Sequence, residues 1–165
     1  MISTALDIGY EFRSKLIGLG CWYVSAGGNN LGSSFSLAFG DKIARSIPLS
    51  NSAHPEHFRQ YEGAANLLVW CTWRLDGRDE PITSSDDTEE GISNGLARLT
   101  GCTIVDLIVE RPCWDLKILF SPFYRLQLFC DHVPGDPSFD GNWEMHAREE
   151  AFYFGPGNKV EVVNR

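Results

Sequence analysis

Apolar residues recur at helical spacing in two stretches of this chain and alternate with polar ones in several others. In residues 85–99 (SDDTEEGISNGLARL), Ile92, Leu96 and Leu99 share one face, and acids crowd the first turn, where the helix dipole favours them. Ser85 or Asp86 can cap, and Gly101 can stop the chain, so the pattern predicts a helix over 86–99. Leu6, Tyr10, Leu16 and Ile17 repeat the pattern more weakly and predict a helix over 3–15, closed by Gly18 or Gly20.

Between and after these helices the period changes to two. Residues 103–110 (TIVDLIVE) are β-rich, 115–120 (DLKILF) alternates, and 124–129 (YRLQLF) follows a turn at Ser121 and Pro122. A short strand is expected at 142–146 (NWEMH), then a hairpin pairing 151–154 with 159–163 around Gly155, Pro156, Gly157 and Asn158. Residues 44–63 sustain neither period and read as a long loop.

The two halves can be laid over one another. Leu16-Ile17-Gly18 matches Leu99-Thr100-Gly101 at an offset of 83, Phe39 matches Phe120 at an offset of 81, and Trp73-Arg74-Leu75 matches Trp143-Glu144-Met145. The expectation is a single α+β domain over 1–165, mainly antiparallel sheet with two helices, carrying degenerate pseudo-repeats at 1–80 and 81–165. Halves of this size would be marginal alone, which favours one shared core. Trp73 and Trp143 are then core anchors, while Trp22 and Trp114 with Tyr23 and Tyr124 are candidates for lining a sheet face.

Composition narrows the function classes. The chain has 165 residues, 43% of them hydrophobic, enough for one self-supporting core. Its longest nearly apolar stretch, 64–73, is too short for a membrane span, and Asp7 and Glu11 interrupt any signal-peptide core, so a soluble cytoplasmic protein is expected. Five cysteines, Cys21, Cys71, Cys102, Cys113 and Cys130, form an odd, irregular set among apolar neighbours and read as buried free thiols.

The net charge of −8 is uneven. Residues 76–90 carry seven acids against Arg78 alone, and residues 131–150 carry six against Arg148. Two such blocks repel phosphate, which argues against direct nucleic-acid binding and against an anionic membrane, and favours a basic protein partner. The partner-binding candidates are Asp79, Glu80, Asp86, Asp87, Asp136, Asp140 and Glu144.

Catalytic and cofactor signatures are sparse. His54-Pro55-Glu56-His57 and Cys130-Asp131-His132 each fall short of the converging ligands zinc needs. No Gly-x-Ser-x-Gly elbow occurs, and Gly27-Gly28-Asn29-Asn30 lacks the Lys and Ser/Thr of a phosphate loop. No catalytic residue, metal or cofactor is therefore expected. A competing expectation is a small-ligand or enzymatic pocket assembled from the dispersed residues Asp131, His132, Glu144 and His146, and a third is a structural or assembly module.

Residues 35–40 (FSLAFG), the Trp73-Arg74-Leu75 strand, Leu99-Thr100-Gly101, Asp115-Leu116 with Phe120, residues 126–129 (LQLF) and Asn142-Trp143-Glu144 together resemble an arrangement in small bacterial immunity proteins of polymorphic toxin and contact-dependent growth inhibition systems. The resemblance spans most of residues 16–146. It implies a cytoplasmic antidote without chemistry of its own, which binds a cognate toxin C-terminal domain, frequently a nuclease, and blocks its basic active site. The acidic blocks suit such a partner, because carboxylates are steered toward a positive cleft.

Overall fold

A computed structural model describes residues 5–26, 32–135 and 141–165; Gly27-Gly28-Asn29-Asn30, Asp136 and Asp140 lie outside them. The chain is α+β, with two antiparallel sheets. After α1 (Ala5–Leu16) come β1 (Cys21–Ala26), β2 (Phe35–Ala44), α2 (Glu56–Gln60), β3 (Tyr61–Val69), β4 (Thr72–Asp76) and β5 (Pro81–Ser84). Then follow α3 (Glu89–Ala97), β6 (Thr103–Glu110), β7 (Asp115–Ser121), β8 (Tyr124–Phe129), β9 (Trp143–Ala147), β10 (Glu150–Phe154) and β11 (Val160–Asn164). One sheet runs β1-β2-β3-β9-β10-β11 and the other β5-β4-β8-β7-β6.

These two orders are the same order. Each half supplies a helix and a three-stranded meander, then sends its next two strands across to extend the meander of the other half. Exchanging β1 through β5 for β6 through β10 converts one sheet into the other, with β11 as an addition. The register agrees residue by residue: Phe39 opposes Cys21 and Phe120 opposes Ile104, and both hairpins bulge immediately afterwards, between Cys21 and Tyr23 and between Ile104 and Asp106. On the next strands Trp73 opposes Leu128 and Trp143 opposes Val69.

The pseudo-twofold axis passes through the contact between the halves. Gly18 N–H donates to the Ile104 carbonyl (2.8 Å) and Gly101 N–H to that of Cys21 (2.7 Å); Cys21 N–H donates to Cys102 (2.8 Å) and Ile104 N–H to Leu19 (3.0 Å). Each bond in a pair is the image of the other under the 83-residue offset, and Gly20 bridges Thr103 between them. Gly18 and Gly101 end their helical segments at φ +92° and +87°, a region that costs an L side chain roughly 1–2 kcal/mol. Phe39 and Phe120 stack across the two sheets at 6.2 Å.

One core fills the space between the sheets. Phe35, Leu37 and Phe39 of β2 and Ala65, Leu67 and Val69 of β3 face Trp73, Leu116, Ile118, Phe120, Leu126 and Leu128, and their alternation with half-buried neighbours is that of sheets packed on one side. On α1, Ile8, Phe12 and Leu16 are buried, and Phe12 meets Phe152 edge-on at 4.8 Å. The image of that contact, Gly95 on Thr83, is small on both sides, so a methyl at Gly95 would collide with the threonine side chain.

Several expectations change. The predicted helix over 86–99, α3, begins only after Thr88, whose hydroxyl accepts from Gly91 N–H, because Ser85, just past β5, still exchanges hydrogen bonds with the Trp73 backbone. The segment 44–63 is not simply a loop: β2 runs to Ala44, α2 occupies Glu56–Gln60 and β3 starts at Tyr61. Trp114 lines no sheet surface; it is buried in the core at φ 67°, held by an indole N–H bond to the Asn158 carbonyl. Of the five free cysteines, Cys21, Cys71 and Cys102 are buried, whereas Cys113 and Cys130 are half-buried.

Candidate functional site

The halves differ chiefly by two insertions, residues 45–60 between β2 and β3, and residues 131–142 between β8 and β9. The second insertion helps form an open groove of about 330 Å³, lined by Ser33, Trp70, Cys71, Thr72, Ser85, Asp86, Asp131, His132 and Val133. Asp86 comes from the first acidic block and Asp131 from the second.

Local bonding fixes the walls of this groove. Asp131 accepts from the Thr72 hydroxyl (2.5 Å) and from Thr72 N–H (3.3 Å). Burial alone would push the Asp131 carboxyl up, but these bonds, its own backbone N–H and nearby His132 together hold it below the usual aspartate value, so it stays charged. The His132 ring shares a 2.7 Å hydrogen bond with the Gly141 carbonyl. Asp86 is anchored only through its backbone N–H, which donates to Ser84 Oγ at 3.2 Å, and its carboxylate accepts no hydrogen bond among the described residues. The Trp70 indole is 40% exposed.

The predicted partner-binding residues do not form one surface. Asp79 and Glu80 sit exposed on the turn between β4 and β5, five residues along β4 from the groove, or about 16 Å at strand rise. Asp87 has structural work: its carboxylate accepts from Thr83 Oγ1 and from Thr88 N–H, both at 2.8 Å, and closes the approach to α3. Glu144 lies on the outer face of its sheet, where its carboxylate meets His146 Nε2 at 2.7 Å. Asp86 is thus the described candidate that lines the groove, and Asp131, absent from the predicted set, joins it there. The sequence placed Asp131 in the competing pocket with His132, and the insertion beginning at that residue is the signal that could have moved it into the partner-binding set.

The dispersed cluster separates in the same way. Asp131 and His132 belong to the groove, whereas Glu144 and His146 pair with each other beside Tyr153, whose ring meets His146 edge-on at 5.4 Å. The image of Glu144 and His146 on the other sheet is Arg74 and Asp76, a charge-inverted pair also joined at 2.7 Å. Asp76 additionally accepts from Gln127 (2.8 Å) and Arg125 (3.3 Å).

The first insertion folds over the outer side of β1. Phe58 stacks on Tyr23 at 4.1 Å, His57 packs against Trp22 and Tyr23, and the Tyr23 hydroxyl meets His54 Nδ1 at 3.1 Å. Burial, aided by the charge of Arg45, holds the His54 ring below its usual value. Both histidines are therefore spent on aromatic packing, and no group of three metal-ligating side chains converges among the described residues. No helix among them is long and apolar enough to cross a membrane.

Comparison of the chain with protein-family models, curated proteins and solved structures finds no match.

Proposed function

We propose that this protein is an antidote: a cytoplasmic domain that catalyses nothing itself and neutralises a basic toxin domain, a nuclease in the simplest case, by occupying its active-site cleft. The observation that carries the proposal is the groove in which Asp86 and Asp131, one from each acidic block, stand beside the exposed Trp70 indole. Carboxylates and an aromatic ring around an open hollow form the kind of recessed, charged anchor point that dominates protein interfaces. Acids away from the groove, such as Asp79, Glu80, Glu89 and Glu90, add long-range attraction, which raises the rate of encounter more than it tightens the complex. The toxin partner itself comes from the resemblance in residues 16–146.

The test is protection. Cells producing the toxin domain encoded beside this gene should grow when this chain is co-expressed and stop when it is not, and the purified pair should bind more weakly as salt rises. Growth arrest despite soluble expression of the chain would overturn the proposal.

A further inference from the structure

The groove is a place that the second half of the molecule fills with its own side chains. Trp143 donates its indole N–H to the Trp114 carbonyl (2.9 Å), and Trp73 donates in the same way to Ser33 (2.7 Å), so Ser33 is the image of Trp114. Register on the neighbouring strands makes Ser85 the image of Phe154. In the second half the Trp114 and Phe154 rings pack at 5.7 Å, buried beneath the turn that joins β10 to β11. In the first half both are serines, and the chain after β5 leaves through Asp86 toward α3 instead of turning back over the site. Ser33 and Ser85 thus line an open hollow at the register positions that the second half fills with two aromatic residues.

We infer that this hollow receives an arginine side chain of the bound protein; the identity of that protein rests on the antidote proposal, while the chemistry rests on the groove alone. An aromatic guest would enter the hollow but would strip water from Asp86, Asp131, Ser33 and Ser85 without returning a hydrogen bond. A guanidinium satisfies the same groups. It is flat enough to lie on the Trp70 ring, and its five N–H donors fork between carboxylates. Asp86 has its full acceptor capacity free, and Asp131, which accepts two bonds from Thr72 and one from its own backbone N–H, keeps one acceptor position. Lysine would bring the charge without the fork or the flat stacking surface.

The experiment uses the intact chain and N-acetylarginine amide as the probe, followed by amide and indole NMR shifts. Saturable shifts are expected at the Trp70 indole N–H and at the Ser85 and Asp86 amides, weaker with N-acetyllysine amide and absent with N-acetylglutamine amide. Asp86→Asn should weaken the arginine probe by about tenfold, the scale of one charge-assisted hydrogen bond, and Trp70→Ala should weaken it also. Neither side chain makes a bond the fold depends on, and the remaining amide spectrum checks that each variant is folded. Equal response to the glutamine probe, or indifference to both substitutions, overturns the inference. In a second arm the toxin domain is titrated onto the parent and onto Asp86→Asn. Arginine binding without toxin binding leaves the groove assignment standing and removes the antidote; toxin binding that ignores Asp86→Asn, with no arginine response, does the reverse.

Discussion

Trp73 and Trp143 are one anchor used twice: each is fully buried and each donates its indole N–H to the carbonyl at the same position of its half, Ser33 or Trp114. Each ties the strand that crosses between sheets to the segment leading into the second strand of a meander. Replacing either with Phe removes a hydrogen bond worth about 0.5–1.5 kcal/mol and leaves a packing defect besides. Both Trp73→Phe and Trp143→Phe should lose about 1–3 kcal/mol in urea unfolding. A variant that unfolds at the parent midpoint would show that its anchor is dispensable.

The glycine pair on the axis gives a second test. Gly18 and Gly101 have open space where a Cβ would go, so Gly→Ala there measures backbone strain without steric collision. Each should cost about 1–2 kcal/mol. Gly20 also has open space but no left-handed backbone, and Gly20→Ala should be nearly neutral. Equal effects at all three positions would mean that φ is not what these residues supply.

At Gly95 the expectation is steric. An added methyl would meet Thr83 Cβ at 2.7 Å, and Thr83 cannot swing aside without breaking its bond to Asp87. Gly95→Ala should destabilise by about 1–3 kcal/mol despite alanine's better helix propensity. A gain in thermal midpoint would show that α3 moves off the sheet freely.

Thiol chemistry checks the core. Burial pushes the Cys21 thiol up to about 12, with a hydrogen bond from the Tyr23 backbone opposing only in part, and burial also raises Cys102. The folded protein at pH 8 should therefore leave Cys21 and Cys102 unlabelled by an alkylating reagent over minutes, with all five cysteines labelled in denaturant. Mass mapping that finds Cys21 alkylated as fast as in the unfolded chain would place β1 outside the core.

The sequence carried the parts of this fold that repeat. The offset between Gly18 and Gly101 was legible because both residues hold the same left-handed turn, and Phe39, Phe120, Trp73 and Trp143 were legible because the core uses them in the same places. The exchange of strands between halves was hidden, since the alternation in β4 or β9 is identical whichever meander it joins. The groove was hidden for a related reason. It is defined by what Ser33 and Ser85 lack relative to Trp114 and Phe154, and a missing ring carries no pattern until the register is known. Counting acids located two blocks but could not distinguish Asp86, which is free, from Asp87, which caps an approach to a helix.

Asp76 sets the acid limit of one sheet. Burial would push its carboxyl up, but hydrogen bonds and charge from Arg74, with further hydrogen bonds from Gln127 and Arg125, outweigh that and hold it below its ordinary value of 3.8. A carboxylate lowered on folding adds stability that is fully present well above 3.8 and disappears as pH falls through the lowered folded value. Asp76→Asn removes this contribution, so the parent should exceed the variant most at neutral pH, with the gap closing as pH falls below 3.8 and through the lowered folded value. Asp131 is lowered as well, which makes Asp131→Asn the parallel measurement. Urea midpoints of parent and Asp76→Asn compared at pH 7 and in a series descending below 3.8 decide the matter, because a gap that stays the same size throughout would mean that the charge on Asp76 contributes nothing and its shape alone holds Arg74, Arg125 and Gln127 in place.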